Sequence, residues 1–164
     1  MTLRAVSSIG TSGGGIGLKS AGVVAQSAVP ASVTGTLSET TLATIPIPAG
    51  AMGVNGRLRI TASYSYTNSA NSKQLIVRFG GAVVRGSTRT TSAQDNFIDM
   101  LANRGVANSQ FYALAFTTGA SAAGIQATSA IDTTQAQNLT LNGTLANIGE
   151  TITLESYTVE ILNP

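Results

Sequence analysis

At 164 residues the chain has the length of one domain, and only 10% of its residues are charged, where about 25% is typical. The absence of Cys and His excludes disulfides, thiolate zinc sites and cysteine nucleophiles, and it removes the commonest general base. A net charge of +2 is too small for nucleic-acid binding, and no apolar run approaches the ~18 residues of a membrane helix.

The scarcity of charge has a functional meaning. Free monomers usually keep a charged surface, which holds them apart in solution. Here small polar and apolar groups must cover most of the surface, which favours a protein partly hidden by partners over a merely neutral soluble domain. Basic residues concentrate in the middle of the chain, and the last third carries only acidic ones. This asymmetry suggests complementary faces that meet across copies.

The first 35 residues differ from the rest of the chain. They contain the glycine-rich run 12–17 and an Ala/Ser/Val stretch that ends at Pro30. Because Gly and Ser disfavour ordering, the composition predicts an extended arm over residues 1–35. Apolar residues punctuate this arm, as docking onto a neighbour requires. They are Leu3, Val6, Ile9, Ile16, Leu18, Val23 and Val24.

From about residue 36 the apolar residues recur at every second position, which predicts β-strands. The clearest strand runs from Leu58 to Tyr66, and turn-forming sequences flank it at 46–50, 55–56 and 67–72. Its alternation of apolar and polar residues indicates that one face is buried and the other is not.

A second alternating strand is predicted over 75–79, and Gly80-Gly81 predicts a tight hairpin turn into the next strand. If the strands over 58–66 and 75–79 pair, Arg59 and Arg78 lie together on the polar side. Such arginines serve either ordinary solubility or contact with a neighbouring copy or an acidic partner surface. Arginine suits contact because its fork binds carboxylates at two points.

Residues 95–101 fit either a helix or a buried strand, and the strand signals on both sides favour a strand. A flexible segment is predicted at 119–124. In the last predicted strand the inward positions are even before Ser156 and odd after it, which predicts a β-bulge near that residue. Four strands are predicted after residue 101, at 110–117, 127–131, 139–145 and 151–162.

About eight short strands separated by turn sequences predict an all-β sandwich. Eight antiparallel strands in two sheets form a jelly roll, so residues 36–164 are expected to fold as a jelly-roll domain behind the arm. A Greek-key sandwich of another strand order stays open.

Residues that could carry chemistry are few. The run 13–20 departs from a phosphate-binding loop, because Leu18 stands where Walker A needs the glycine before Lys19. Asp95 and Asp99 lie about 13 Å apart along one strand face. That exceeds the ~5–9.5 Å between glycosidase carboxylates. Solvated carboxylates at a strand end are expected instead.

Other catalytic and metal sites find equally little support. A serine nucleophile could use only Lys19 or Lys73 as its base, and both lysines are predicted in loops. Asp95 and Asn96 offer oxygen ligands for Ca²⁺, but nothing around them matches an EF-hand loop. The sequence therefore predicts no enzyme, no cofactor and no metal site.

Four segments carry a resemblance. They are IPIPAGAMGVNGRLRI at 45–60, YTNSANSKQLIVRFGG at 66–81, NRGVANSQ at 103–110 and LANIGETITLESYTVEIL at 145–162. Together they resemble small jelly-roll proteins encoded among the structural genes of tailed bacteriophages. The segments are turns and strand edges of the β domain, and they do not include the arm. The resemblance implies a virion component, typically trimeric: a head decoration or cement protein, a head fibre or a tail-associated module. It transfers no catalytic residue.

The first functional hypothesis is a capsid decoration protein of the virion, assembled in the host cytoplasm. It would stabilise the head as a homo-oligomer, a trimer by the resemblance, that packs against the major capsid protein or another virion protein. Its arm would clamp neighbours. The partner-contact residues expected are Leu3, Ile9, Ile16, Leu18, Arg59 and Arg78.

The second hypothesis is a tail or fibre module that binds a host surface. Loops 67–72 and 117–124 would carry recognition, since loops on sandwiches often do. Aromatic residues make up only 5% of the chain, which disfavours the ring stacking usual in glycan binding. Neither hypothesis involves nucleic acid or a membrane.

Overall fold

The computed structural model describes residues 22–114 and 127–164. Over these residues the regular secondary structure is β, as predicted. No helix among them is long and apolar enough to cross a membrane. The strands of this part are β1 (Gly22–Ser27), β2 (Ala31–Thr34), β3 (Thr40–Ile47), β4 (Arg57–Tyr66), β5 (Lys73–Phe79), β6 (Ala82–Arg89), β7 (Gln94–Asn103), β8 (Gln110–Leu114), β9 (Ala127–Ser129), β10 (Gln137–Leu145) and β11 (Thr151–Leu162).

The strands form two antiparallel sheets around one core. The larger sheet has the order β1-β11-β4-β7-β8-β9, with β2 also paired to β11, and the smaller sheet has the order β3-β10-β5-β6. Strands β2 to β7 with β10 and β11 follow the jelly-roll order, β2-β11-β4-β7 opposite β3-β10-β5-β6. The predicted jelly-roll sandwich is confirmed. Three strands are added to it, because β8 and β9 extend the larger sheet and β1 lies beside β2 along β11.

The core lies between the sheets, where every second side chain points inward. In β4 every second residue from Leu58 to Tyr66 is buried, and the residues between them are partly exposed. In the opposite sheet β5 buries Leu75, Val77 and Phe79. Full burial of one such side chain is worth about 1.5–3 kcal/mol, so this alternation supplies much of the force that holds the sheets together.

The predicted hairpin at Gly80 and Gly81 is confirmed. The two glycines have φ angles of 54° and 83° and join β5 to β6. A two-residue turn with positive φ at both positions matches the right-handed twist of paired strands, and glycine adopts it without strain. A Cβ at Gly80 would lie 2.6 Å from Cγ2 of Ile131, so this position also requires a residue without a side chain.

The predicted bulge in β11 is confirmed. The register with β4 shifts between Leu154 and Ser156. Ile152 and Leu154 face the core before the shift, and Val159 is buried after it. Because the bulge inserts one residue, the inward positions change from even to odd numbers along the strand.

Residues 94–103 form strand β7, which confirms the strand over the helical alternative. The strand runs antiparallel to β4, buries Phe97 and Leu101, and leaves Ile98 on the outer face. β8 begins at residue 110, as predicted for the strand over 110–117. Residues 115–117 of that predicted strand and the predicted flexible segment 119–124 lie outside the described residues.

The described chain differs from the predicted arm over residues 22–34. β1 pairs with the second half of β11 and β2 with its first half, so both strands belong to the larger sheet. The composition of this stretch suggested an arm because Ala, Ser and Gly are poor strand signals. The long edge of β11 nevertheless pairs with them through the backbone, and Val33 of β2 is buried in the core. The sandwich therefore begins within the range 1–35.

Candidate interaction surfaces

The two arginines singled out in the sequence lie on opposite sheets. Arg59 belongs to β4 of the larger sheet and Arg78 to β5 of the smaller one, and these strands do not pair. The common polar face that depended on their pairing does not form. The reason is topological, because the chain of a jelly roll crosses to the other sheet between these two strands. Each arginine lies on the outer face of its own sheet.

Each of these arginines binds a carboxylate of its own chain. Nε and Nη2 of Arg59 donate to Glu160 at 2.6 and 2.9 Å. Nε and Nη2 of Arg78 donate to Glu39, both at 2.7 Å, and Nη1 donates to the carbonyl of Gly81 at 3.0 Å. The hydrogen bonds from the guanidinium groups lower the pKa of Glu160 and of Glu39. Both arginine forks are therefore already occupied.

The charge asymmetry along the sequence has an explanation within one chain. Glu160 and Glu150 of the acidic last third pair with Arg59 and Lys73 of the basic middle. The register of the sheet brings these distant segments together, since Arg59 and Glu160 are directly opposite each other on β4 and β11. The complementary faces expected between copies are thus largely matched inside the fold.

A charged cluster is buried between the sheets. Arg85 on β6 of the smaller sheet donates from Nη1 to both oxygens of Asp99 on β7 of the larger sheet, at 2.8 and 2.9 Å. The hydroxyl of Tyr112 on β8 donates to the same carboxylate. The Arg85 guanidinium also lies 4.0 Å from the ring centroid of Phe97. This cluster links the two sheets by polar contacts inside an otherwise apolar core.

The expectation that Asp95 and Asp99 are solvated is wrong. Asp99 is 0% exposed, and its burial raises its pKa against the opposing effects of Arg85 and Tyr112. Asp95 lies 2.8 Å from Nη2 of Arg89 and 4.0 Å from Nη2 of Arg85. Since arginines hold both carboxylates, the geometry provides a structural bridge and no free acid–base pair.

The sequence contains a signal for this buried cluster that the prediction of solvated carboxylates left out. Asp99 stands between Phe97 and Leu101 at the same parity, so the alternation of β7 points all three side chains inward. A charged residue at an inward position predicts a buried partner. The identity of that partner was not readable, because Arg85 comes from the other sheet.

One end of the sandwich is fixed by a buried amide network. The amide of Gln110 donates to Asn103 at 2.9 Å and to the carbonyl of Ile131 at 2.9 Å. Asn103 in turn donates to the hydroxyl of Thr133 at 2.8 Å. The network ties the β7–β8 turn to the connection between β9 and β10, so the loops at this end are held by side chains as well as by the backbone.

The other end is fixed around Lys73. This lysine was expected in a loop, but it is the first residue of β5 and fully buried, because its inward position continues the alternation of that strand. Its Nζ donates to the hydroxyl of Ser69 at 2.9 Å and lies 3.7 Å from Glu150. Ser69 and Asn71 both donate to Glu150, and these hydrogen bonds lower its pKa. Loop 67–72 is thereby tied to the β10–β11 loop.

Each end also exposes a pair of aliphatic side chains. Leu37 and Ile148 are 55% and 59% exposed on loops joined by a hydrogen bond from Gly35 N to Ile148 O at 3.0 Å. At the amide-network end, Val54 and Val106 are about half exposed. Pairs of this kind, on loops joined by backbone hydrogen bonds, offer small apolar contact points, although each is far smaller than a standard protein–protein interface.

An open cleft of about 420 Å³ lies where β1 ends beside the bulge of β11. Hydroxyl and amide groups dominate its lining, and no charged residue contributes to it. The lining residues are Gln26, Ser27, Ala28, Ser156, Tyr157 and Thr158. Within the described ranges, no group of three acidic side chains could hold a metal ion.

Several sequence predictions fall outside the described residues. They concern the proposed recognition loop at 117–124 and the arm residues Leu3, Ile9, Ile16, Leu18 and Lys19. All of these stay predictions.

No protein-family model and no curated protein sequence matches the chain. Among solved structures, the CBM2 module of the evolved Dit of Lactobacillus casei BL23 phage J-1 is similar, with a TM-score of 0.39 and 9% identity over 74% of this chain and 69% of that one. A chain from the infectious bursal disease virus Gx strain has a TM-score of 0.28 and 11% identity, over 97% of this chain and 47% of that one. Both neighbours come from viruses, but similarities this distant carry no argument about function.

Proposed function

We propose that this protein is a virion structural protein of a tailed phage, and that it decorates and stabilises the head as a homo-oligomer. The observation that carries the proposal is a jelly roll in whose described part five of the seven basic side chains pair with carboxylates of the same chain. The four segments that resemble small phage jelly-roll proteins give the proposal its virion setting and its trimeric form, and they fit the head and the tail alike.

The charge balance follows from the sequence and the described ranges. Of the nine basic residues, Arg4 and Lys19 precede residue 22, which leaves seven in the described part. All seven acidic residues lie in that part, so its formal charge is 7 − 7 = 0. A body without net charge has little electrostatic repulsion between copies, which favours association.

The outer face of the larger sheet is suited to contact. Between the ion pair of Arg59 with Glu160 and the hydrogen bond of Ser65 with Glu155, the outward residues of β4 are Thr61 and Ser63. Short side chains on a regular sheet give a flat surface, and flat uncharged surfaces pack against other proteins at a low desolvation cost.

Residues 1–21, the part of the predicted arm that precedes β1, would provide attachment in this proposal and are called the arm from here on. When apolar side chains of the arm pack against a neighbour, each Å² of apolar surface removed from water contributes about 25 cal/mol to the binding free energy. An oligomer repeats this contact at every copy. Simultaneous engagement of several arms converts modest contacts into tight binding. The net charge of +2 on residues 1–21 would favour an acidic partner surface.

A reconstruction of the intact particle by cryo-electron microscopy tests the proposal. We expect density for the jelly roll at regular positions on the icosahedral shell. Density confined to the tail or to fibre tips would overturn head decoration.

The cleft lined by Gln26, Ser156 and Thr158 favours one alternative, a tail or fibre module that binds a neutral ligand on the host surface. Neutral saccharides are bound by hydroxyl and amide groups of this kind. Adsorption of the isolated protein to host cells, lost on Gln26→Ala, would support this alternative; a complete lack of adsorption to host strains would remove it.

The proposal includes no enzymatic activity. The chain has no His or Cys, and arginines hold the inward carboxylates of β7. Turnover of any cell-wall or capsule polymer by the purified protein would contradict this part of the proposal.

A further inference from the structure

Strand β1 lies at the edge of the larger sheet and is held to the sandwich mainly by backbone pairing. None of its six residues is fully buried, although Val24 and Ala25 lie partly against the core. Its pairing is entirely with β11, from Gly22 opposite Ile161 to Ser27 opposite Tyr157, and a register irregularity interrupts it between Val23 and Ala25.

The neighbouring strand β2 is anchored differently. It pairs with the first half of the same strand, from Thr34 opposite Thr151 to Ala31 opposite Leu154. Val33 of β2 is buried in the core, and only a short loop connects β2 to β3 in the other sheet. The edge of β11 is therefore covered by two strands, of which β2 is fixed and β1 is held by backbone pairing and partial burial.

The connection between β1 and β2 has the properties of a hinge. It consists of Ala28, Val29 and Pro30, all exposed, with Val29 at 79%. The side chain of Ser27 accepts a hydrogen bond from Val29 N, and the 420 Å³ cleft lies beneath this corner. Proline keeps the residue before it extended, and short hinge loops of this kind favour strand exchange.

We propose that β1 is exchanged between copies, so that β1 of one chain pairs with β11 of a neighbouring chain in the oligomer. This inference deepens the proposed function, since it rests on the proposed oligomer and names Gly22–Ser27 as the segment that joins its copies. A symmetric exchange recreates every β1–β11 contact in the same register, and therefore the folded sandwich loses nothing by it. What the oligomer gains is a set of backbone hydrogen bonds between copies.

The geometry limits how the copies can meet. Four residue steps join Ser27 to Ala31, and an extended chain spans at most about 3.6 Å per residue, so the connection reaches about 14 Å. The β11 edges of neighbouring copies must lie within about this distance. Copies arranged around a symmetry axis, with these edges towards the axis, satisfy the limit.

Cysteine pairs provide a direct test, because the natural chain contains no cysteine. Gln26 lies opposite Thr158 across β1 and β11, and both side chains face outward. The matched control is Ser32 opposite Thr153 across β2 and β11, whose hydroxyls are 2.8 Å apart. The double variants Gln26→Cys/Thr158→Cys and Ser32→Cys/Thr153→Cys are oxidised as assembled full-length proteins and separated on a denaturing, non-reducing gel.

With exchange, the first variant gives covalently linked multimers, whereas the control gives monomers with an internal disulfide. Co-expression of Gln26→Cys chains with size-tagged Thr158→Cys chains then gives a linked heterodimer. An internal disulfide in the first variant, or no disulfide where the control forms one, overturns the exchange.

Light scattering on the unmodified protein separates the two proposals. An oligomer whose Gln26→Cys/Thr158→Cys variant forms internal disulfides overturns only the exchange, and leaves the proposed oligomer intact. A monomer at all concentrations overturns the exchange and the oligomeric part of the proposed function together.

Discussion

At the scale of single residues, the molecule is organised by pairs that hold each other in place. Asp99 and Arg85 are the clearest example, since both lie inside the sandwich and Arg85 donates two hydrogen bonds to the Asp99 carboxylate. Removing one member of a buried ion pair leaves an uncompensated charge, which costs far more than removing both.

We expect Asp99→Ala to lower the free energy of unfolding by about 3–5 kcal/mol, measured by urea denaturation. The double variant Arg85→Met/Asp99→Leu should recover most of this loss, because it removes both charges and refills the space. Glu160→Ala serves as a surface control. If Asp99→Ala destabilises the protein no more than Glu160→Ala does, the buried cluster does not link the sheets as described.

The lowered pKa of Glu150 determines how the stability of the protein should depend on pH. Hydrogen bonds from Ser69 and Asn71 lower its pKa, so the folded state keeps Glu150 ionised at pH values where the unfolded chain is protonated. Its contribution is therefore fully present above the ordinary Glu pKa of about 4.3 and is lost as the pH falls through the lowered value.

The measurement is the urea midpoint between pH 7 and pH 3. Glu150→Gln should flatten the acid limb of this curve, and Ser69→Ala should flatten it less, because Asn71 and Lys73 remain. An unchanged acid limb in Glu150→Gln would show that other carboxylates determine acid stability.

At the scale of elements, turns and bulges set the register of the strands. The turn of Gly80 and Gly81 ends β5 after Phe79, its last inward residue, and β6 begins at Ala82. Its two positions differ in their surroundings, which allows backbone conformation and crowding to be separated by experiment.

We expect Gly80→Ala to destabilise the protein more than Gly81→Ala. Both substitutions place a side chain at positive φ, which costs roughly 1–2 kcal/mol. Only at Gly80 would the new Cβ also lie 2.6 Å from Ile131, whereas nothing lies within 4 Å at Gly81. Urea denaturation of both variants gives the difference, and equal losses would rule out the crowding.

Local patterns in the sequence predicted elements well where one residue determines a conformation or a face. The alternation from Leu58 to Tyr66, the paired glycines and the parity change near Ser156 are of this kind. Strand β1 was missed because its two valines, Val23 and Val24, are adjacent and show no alternation, and because its partner β11 lies far along the chain.

At the scale of the whole molecule, partnerships between distant segments could not be predicted. Arg59 and Glu160 are 101 positions apart, and Arg85 meets Asp99 across the two sheets. Such pairs depend on strand order, which a single sequence does not contain. The sequence therefore predicted the jelly roll, but it suggested charged contacts between copies where the fold makes them within one copy.

Truncation tests the proposed role of the arm. Deleting residues 1–21 leaves every described strand intact, so we expect a folded sandwich with an unchanged urea midpoint. The same protein should no longer attach to particles that lack it, as measured by co-sedimentation. The full-length protein is the control, and a truncated protein that still saturates the particles would contradict attachment by the arm.

The two outer strands of the smaller sheet affect how the protein behaves before assembly. β3 carries Pro46, which cannot donate a backbone hydrogen bond, and its register with β10 is interrupted at Leu141. β6 carries the inward Arg85 and a register shift beside Val83. These features disfavour the addition of strands from other molecules to either edge. Newly made copies are therefore protected against growing into fibrils through this sheet.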